Sequence, residues 1–268
     1  MMQQLTLNNP FGTPIFHIDE TTSTMDEARR FAATGAAEVS LHGAVIVTDY
    51  QQAGRGRAAG RSWHAKSGES LLCTLMLRYQ RIQDIPAALP LRLGVALALT
   101  LEALWPALTG RICLKWPNDV LIDRKKVSGI LCEGEVPWIY AGMGVNLLQK
   151  DFPPDLVHRS ISILQALGLE QPDRLGLDRY HLLINLLDHI HTLIEKEPES
   201  PLWQDELAKR LYKKGEPVRF LAGSAETPTE VLGILEGITP AGELCIRETG
   251  TNQTRTFITG ELEIYSTR

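Results

Sequence analysis

The chain has 268 residues, 44% of them hydrophobic and 22% charged, with a formal net charge of −5. That length allows one substantial core and a smaller second domain without disulfide staples, and no apolar run reaches the roughly 20 residues that span a bilayer. The negative balance argues against broad nucleic-acid binding, and the start, MMQQLTLNNPFGTP, lacks the basic and apolar segments of a secretory signal. The expectation is a cytoplasmic protein with neither a membrane nor a nucleic acid as partner.

Ile15 to Ile18 reads as a short strand, followed by TTSTMDEARRFAATG, which carries helix signals at both ends. Thr24 and Glu27 fit a capping box, Met25, Ala28 and Ala32 form an apolar stripe, and Gly35 fits the stop. Ala44 to Thr48 and Ser70 to Leu77 are β-rich and flank a loop of arginine and glycine. Leu89 to Trp105 is apolar enough for a buried helix, with Pro90 in its first turn and Pro106 at its end. Strand-like stretches follow at Arg111 to Lys115, at Val120 to Ile122 turning through Asp123 to Lys125 into Val127 to Cys132, and at Trp138 to Val145. Arg179 to Lys196 and Leu202 to Tyr212 read as helices.

After Lys213, Lys214 and Gly215 the pattern changes to short strands separated by Gly, Pro and Asn: Val218 to Leu221, Glu230 to Ile238, Glu243 to Arg247, Thr254 to Ile258 and Leu262 to Tyr265. The prediction is an α+β fold: a mixed or antiparallel sheet with helices packed on one face over residues 1–214, and a small SH3-like β-barrel over 215–268. Cys73, Cys113, Cys132 and Cys245 lie far apart in apolar runs and read as buried thiols. His181, His189 and His191 lack the spacing of helical zinc motifs and read as ordinary helix residues.

The stretch QQAGRGRAAGRSWH, Gln51 to His64, interleaves Arg55, Arg57 and Arg61 with glycines and ends on Trp63 and His64. Glycine lets backbone N–H groups approach an anion, arginine forks onto phosphate or carboxylate oxygens, and Trp63 offers a flat face to a base. Alone, such a loop reads equally as a basic surface loop. The cations Arg124, Lys125 and Lys126 stand at the turn of the later hairpin, where solvated decoration is the plain alternative. The two together suggest a site for a nucleotide and a second anion.

STMDEAR (Ser23 to Arg29), QQAGRGRAAGRSW, KWPND (Lys115 to Asp119), KKVSGIL (Lys125 to Leu131) and GMGVN (Gly142 to Asn146) occur in the order and approximate spacing found in biotin protein ligases. From about Ile15 onward the chain resembles that family. The resemblance implies that biotin and MgATP give biotinyl-5'-adenylate and pyrophosphate, and that biotin then passes to a lysine of a biotin carboxyl carrier domain. It also allows a homodimer paired through a sheet edge. It implies Lys126 and Arg57 as the catalytic cations. Two like charges at 4 Å repel by about 4 kcal/mol at an effective dielectric near 20, so bringing a carboxylate to a phosphate calls for fixed cations.

The resemblance further places Ser23, Thr24, Gln52, Gly54, Arg55, Lys126, Gly142 and Gly144 at biotin, and Arg57, Arg61, Trp63, Asn118 and Asn146 at ATP. Each has a plainer reading: helix capping for Ser23 and Thr24, core packing for Trp63, relief of strand crowding for Gly142 and Gly144. Lys115, Trp116 and Asn118 are expected to shape a pocket wall and Asp119 to orient Lys126 or a magnesium-bound phosphate. No protein ligand to the metal is assigned. Met25 stands where many relatives have asparagine, and Ala58 and Ala59 make the loop less basic than in some relatives. The first strand at Ile15 leaves no room for an N-terminal helix-turn-helix, so a ligase-only form is expected, with a lipoate or octanoate attachment enzyme or a biotin sensor without turnover as alternatives.

Overall fold

The computed structural model of the chain describes residues 2–33, 41–57, 63, 65–171, 176–223 and 227–263. Eight strands, β1 Gln3–Leu5, β2 Ile15–Thr21, β3 Ala44–Gln51, β4 Ser70–Arg78, β5 Ile112–Lys115, β6 Asp119–Ile122, β7 Lys125–Glu135 and β8 Trp138–Asn146, form one sheet in the order β1-β2-β3-β4-β8-β7-β6-β5. Only β2 and β3 pair in parallel. Helix α1, Thr24–Ala33, lies between them in the chain and supplies the crossover that a parallel pair requires.

The class and the mixed sheet are those expected, but helices cover both faces. In β3, Ala44 and Ile46 pack with Met25 and Ala28 of α1, while Val45 and Val47 pack into the larger core around α2, Leu89–Leu104. Helices α4, Arg179–His191, and α5, Leu202–Arg210, pack against α2. The signal for two covered faces lies in β4, whose SLLCTLML is buried along its whole length, as in a strand covered on both sides. Ile82–Leu104 is, against expectation, long and apolar enough to cross a bilayer by composition, yet most of it is buried inside the protein.

The C-terminal strands β9 Pro217–Ala222, β10 Thr229–Ile238, β11 Leu244–Glu248, β12 Thr254–Phe257 and β13 Gly260–Leu262 form an antiparallel sheet in the order β12-β11-β10-β9-β13. Phe220, Leu235, Leu244, Ile246 and Leu262 fill its inner side and join the core of the main sheet. Gly260, at φ +146°, lets β13 close onto β9, because a Cβ there would stand 2.2 Å from the Phe220 ring. Gly35 and Tyr265 lie outside the described residues.

Several local expectations change. Ser23, not Thr24, opens α1: its carbonyl accepts from the N–H groups of Asp26 and Glu27, and its Oγ from that of Met25. Glu27 instead accepts from Thr21 Oγ1. The regular part of α4 ends at His191 and continues through Thr192–Lys196 as a π-helical turn. The short helix α3, Ile163–Ala166, outside the expected elements, carries a reciprocal capping box between Ser162 and Gln165. Strand β1 has only three residues, too few for a periodic pattern.

Candidate active site

A recess opens on the α1 face of the main sheet, over three strand positions without side chains. Gly129 of β7 pairs with Gly144 of β8, and Gly142 pairs with Leu131 of β7 and Thr74 of β4. A Cβ would stand 2.7 Å from the Trp63 ring at Gly144, 3.0 Å from Met25 Sδ at Gly142 and 3.0 Å from Lys126 Nζ at Gly129. The missing side chains leave a cavity of about 70 Å³ roofed by the loop residues Arg55, Gly56, Arg57 and Trp63.

One end is polar and tightly held. The N–H and Oγ1 of Thr24 donate to Gln51 Oε1 at 2.8 and 3.2 Å, and Thr74 Oγ1 donates to Thr24 Oγ1 at 2.8 Å. Ser23 and Thr24 are both buried. Gln51, the last residue of β3 and absent from the sequence expectation, lines the recess, whereas Gln52 already lies in the turn beyond the strand. Gln52 does not line the recess; its Nε2 donates to Glu20 at 2.8 Å.

The other end carries the charge. The two-residue turn at Asp123 and Arg124, both at positive φ, starts β7 at Lys125, so Lys126 is a strand residue. Between Val120 and Leu121 of β6 the register slips: Val120 faces Ser128, but Leu121 faces Lys126. This bulge spends Val127 on the core and brings Lys126 onto the face of Gly129. Lys126 Nζ meets Asp119 Oδ1 at 2.6 Å, and the almost fully buried Lys115 lies 4.0 Å from the same carboxylate. The Lys126 ammonium also stands 6.0 Å from the Trp63 ring centre.

Arg57 and Asn118 line the recess with Lys126, and Asn118 Nδ2 donates to Ile130 O at 2.6 Å. Arg55 is held to Asp26 of α1 at 2.7 Å, and Asp26 also meets Arg29, whose guanidinium the Glu133 carboxylate keeps firmly charged. Trp63 separates the recess from a second cavity of about 450 Å³ bordered by Tyr50, Gly54, Gln149 and Phe152. Its indole N–H is buried and has no partner among the described residues.

Three further residues sit elsewhere than expected. Gly54 lies at the loop neck, where its carbonyl accepts from Trp63 N–H, and it borders the second cavity. Asn146 is buried with its amide donating to the carbonyls of Lys126 and Ile161, so it fastens β7 without lining the recess. Trp116 is 2% exposed and packs on Phe220 of the C-terminal sheet, because its large ring finds apolar cover there. Arg61, Ala58 and Ala59 lie outside the described residues.

Residues 21–145 match the model of the Biotin/lipoate A/B protein ligase family. A biotin--[acetyl-CoA-carboxylase] ligase of Paracoccus denitrificans is 34% identical over 241 residues, which cover 85% of this chain and 91% of that one. The chain belongs to the biotin protein ligases. A bifunctional ligase/repressor BirA of Bacillus spizizenii is 36% identical over 183 residues, 64% of this chain; the match spans about half of that relative, 52%. The solved biotin protein ligase from Aquifex aeolicus in complex with biotin and ATP superposes with a TM-score of 0.75 at 25% identity, covering 93% of this chain and 97% of that one. Membership of the family gives the glycine floor and the Lys126–Asp119 pair a common chemical setting.

Proposed function

We propose that the chain activates biotin with MgATP to biotinyl-5'-adenylate and transfers the biotinyl group to a lysine of a biotin carboxyl carrier domain. The observation that carries this reading is the placement of Lys126, held by Asp119, across the glycine floor from the polar pocket of Thr24 and Gln51. Gln51 Oε1 is engaged by Thr24, which fixes the amide and leaves its Nε2 as a donor for a ureido carbonyl. A purely apolar dithiolane or alkyl chain would waste that end, so biotin is favoured over lipoate or octanoate.

In the first step a carboxylate oxygen bonds to the α-phosphorus while the bond to pyrophosphate breaks. Lys126 and Arg57 supply positive charge where the two anions converge. The acids at the rim among the described residues, Asp26 and Asp119, already face Arg55 and Lys126. On this reading Mg2+ enters with ATP, as part of the substrate. In the second step a neutral lysine amine attacks the acyl carbon and AMP departs; alignment beside so good a leaving group supplies the main acceleration.

The test is pyrophosphate release from purified protein and MgATP with biotin, lipoate or octanoate, followed by transfer to a carrier domain. Release with biotin alone is expected. Release only with another acid reassigns the substrate, and binding of biotin without release makes the chain a sensor.

A further inference from the structure

The KWPND segment has a tryptophan that the cavity does not use. Lys115 and Asp119 are paired residues at the ends of β5 and β6, so Trp116, Pro117 and Asn118 form the turn between them. One side of the turn is bolted to β7: Asn118 Nδ2 donates to Ile130 O at 2.6 Å, and Ile130 N–H donates to Asn118 O at 3.0 Å. The other side is bolted to the C-terminal sheet, where the Trp116 indole N–H donates to Gly242 O at 2.9 Å and its ring meets Phe220 edge-on at 5.7 Å. Gly242 has no slack, since it sits at φ +93° and a Cβ there would stand 2.6 Å from Ala88 Cβ at the start of α2.

From this arrangement we infer that Trp116 is a positioning residue through which the C-terminal sheet sets the place of Asp119 and hence of Lys126. Two residues before Asn118, the Trp116 indole is the turn's one polar link to the C-terminal strands among the described hydrogen bonds. Removing the N–H leaves the Gly242 carbonyl without this donor and frees the turn to rock about its Asn118–Ile130 clasp. A displacement of that kind reaches Asp119 from the far side of the clasp, because Lys115, which directly precedes Trp116, pairs with Asp119 across the turn, and it shifts the carboxylate relative to Lys126. The inference gives the C-terminal sheet a part in the first chemical step, and it rests on the ligase reading of the recess.

The experiment is steady-state pyrophosphate release by Trp116→Phe, Asp119→Asn and the double variant, with Ile246→Ala as a control that loosens the C-terminal core away from the turn. Phenylalanine keeps most of the apolar ring and removes the donor. We expect Trp116→Phe to lower kcat by about three- to tenfold, the scale of one lost hydrogen bond, with the KM for biotin unchanged. In the Asp119→Asn background the same change should cost less than twofold, since the group it positions is already gone. Ile246→Ala should lower the melting temperature and leave kcat unchanged at temperatures where the variant is folded. A Trp116→Phe enzyme with wild-type kcat, or one whose loss multiplies independently with that of Asp119→Asn, overturns the inference. Absence of biotin-dependent release by the wild-type protein would instead refute the ligase reading itself.

Discussion

The indole of Trp63 lies directly on Gly144, with 2.7 Å between the ring and the place a Cβ would occupy. The roof and floor of the recess are therefore in contact through a position that only glycine fills without displacement. Gly144→Ala should raise the KM for biotin by roughly tenfold, given that overpacking costs about 1–3 kcal/mol. Titrating biotin in the pyrophosphate assay checks this, and an unchanged KM would contradict the close fit.

Adjacent glutamines should behave differently. Gln51→Leu removes the acceptor for Thr24 and the donor proposed for the ureido group, and should weaken biotin binding by at least tenfold. Gln52→Leu removes only a bond to Glu20 outside the recess and should change binding by less than twofold. Calorimetric titration of biotin into each variant decides between the two positions.

Lys126→Ala should cut adenylate formation by about a hundredfold or more, in the range found when one preorganised charge is removed from a transition state. The Lys126 side chain is one-third exposed, so the melting temperature should barely move. Asp119→Asn should act in the same direction but less strongly, because it loosens the ammonium without removing it. Single-turnover formation of the adenylate is the measurement, and wild-type rates in Lys126→Ala would end the catalytic assignment.

Burial pushes the thiol of Cys73 up to about 12 from an ordinary value near 9. It should resist iodoacetamide at pH 9 in the folded protein and react once it is denatured, as read by mass spectrometry. The stability linked to this neutral thiol is fully present below pH 9 and is lost as pH rises toward about 12, because the unfolded chain releases its thiol proton first. Denaturant midpoints measured across that window should fall with pH.

Much of the fold was legible from periodicity and turn chemistry. The strands from Ala44 to Thr48 and from Trp138 to Val145, the helix from Leu89 and the change of character at Gly215 all answer to local rules about apolar spacing, proline and glycine. Ordered motifs also brought the site's parts into view, since GRGR, KWPND, KKVSGIL and GMGVN each keep their chemistry in a short stretch of chain. Identity and order of residues thus determined which chemical groups were available: cations, a glycine floor and a polar pocket.

What only the tertiary structure decided is which way those groups point. The bulge opposite Val120 and Leu121 turns Lys126 toward Gly129, an inversion of strand alternation that no local pattern reveals. The end of β3 gives the recess to Gln51, while Gln52, in the turn beyond it, bonds to Glu20 instead. Asn146 and Trp116 were read as ligand contact and pocket wall, yet one fastens β7 and the other joins the C-terminal sheet. Their partners, Ile161 and Gly242, are distant in sequence, and a hydrogen bond to a backbone carbonyl leaves no trace in the identity of the residue that accepts it.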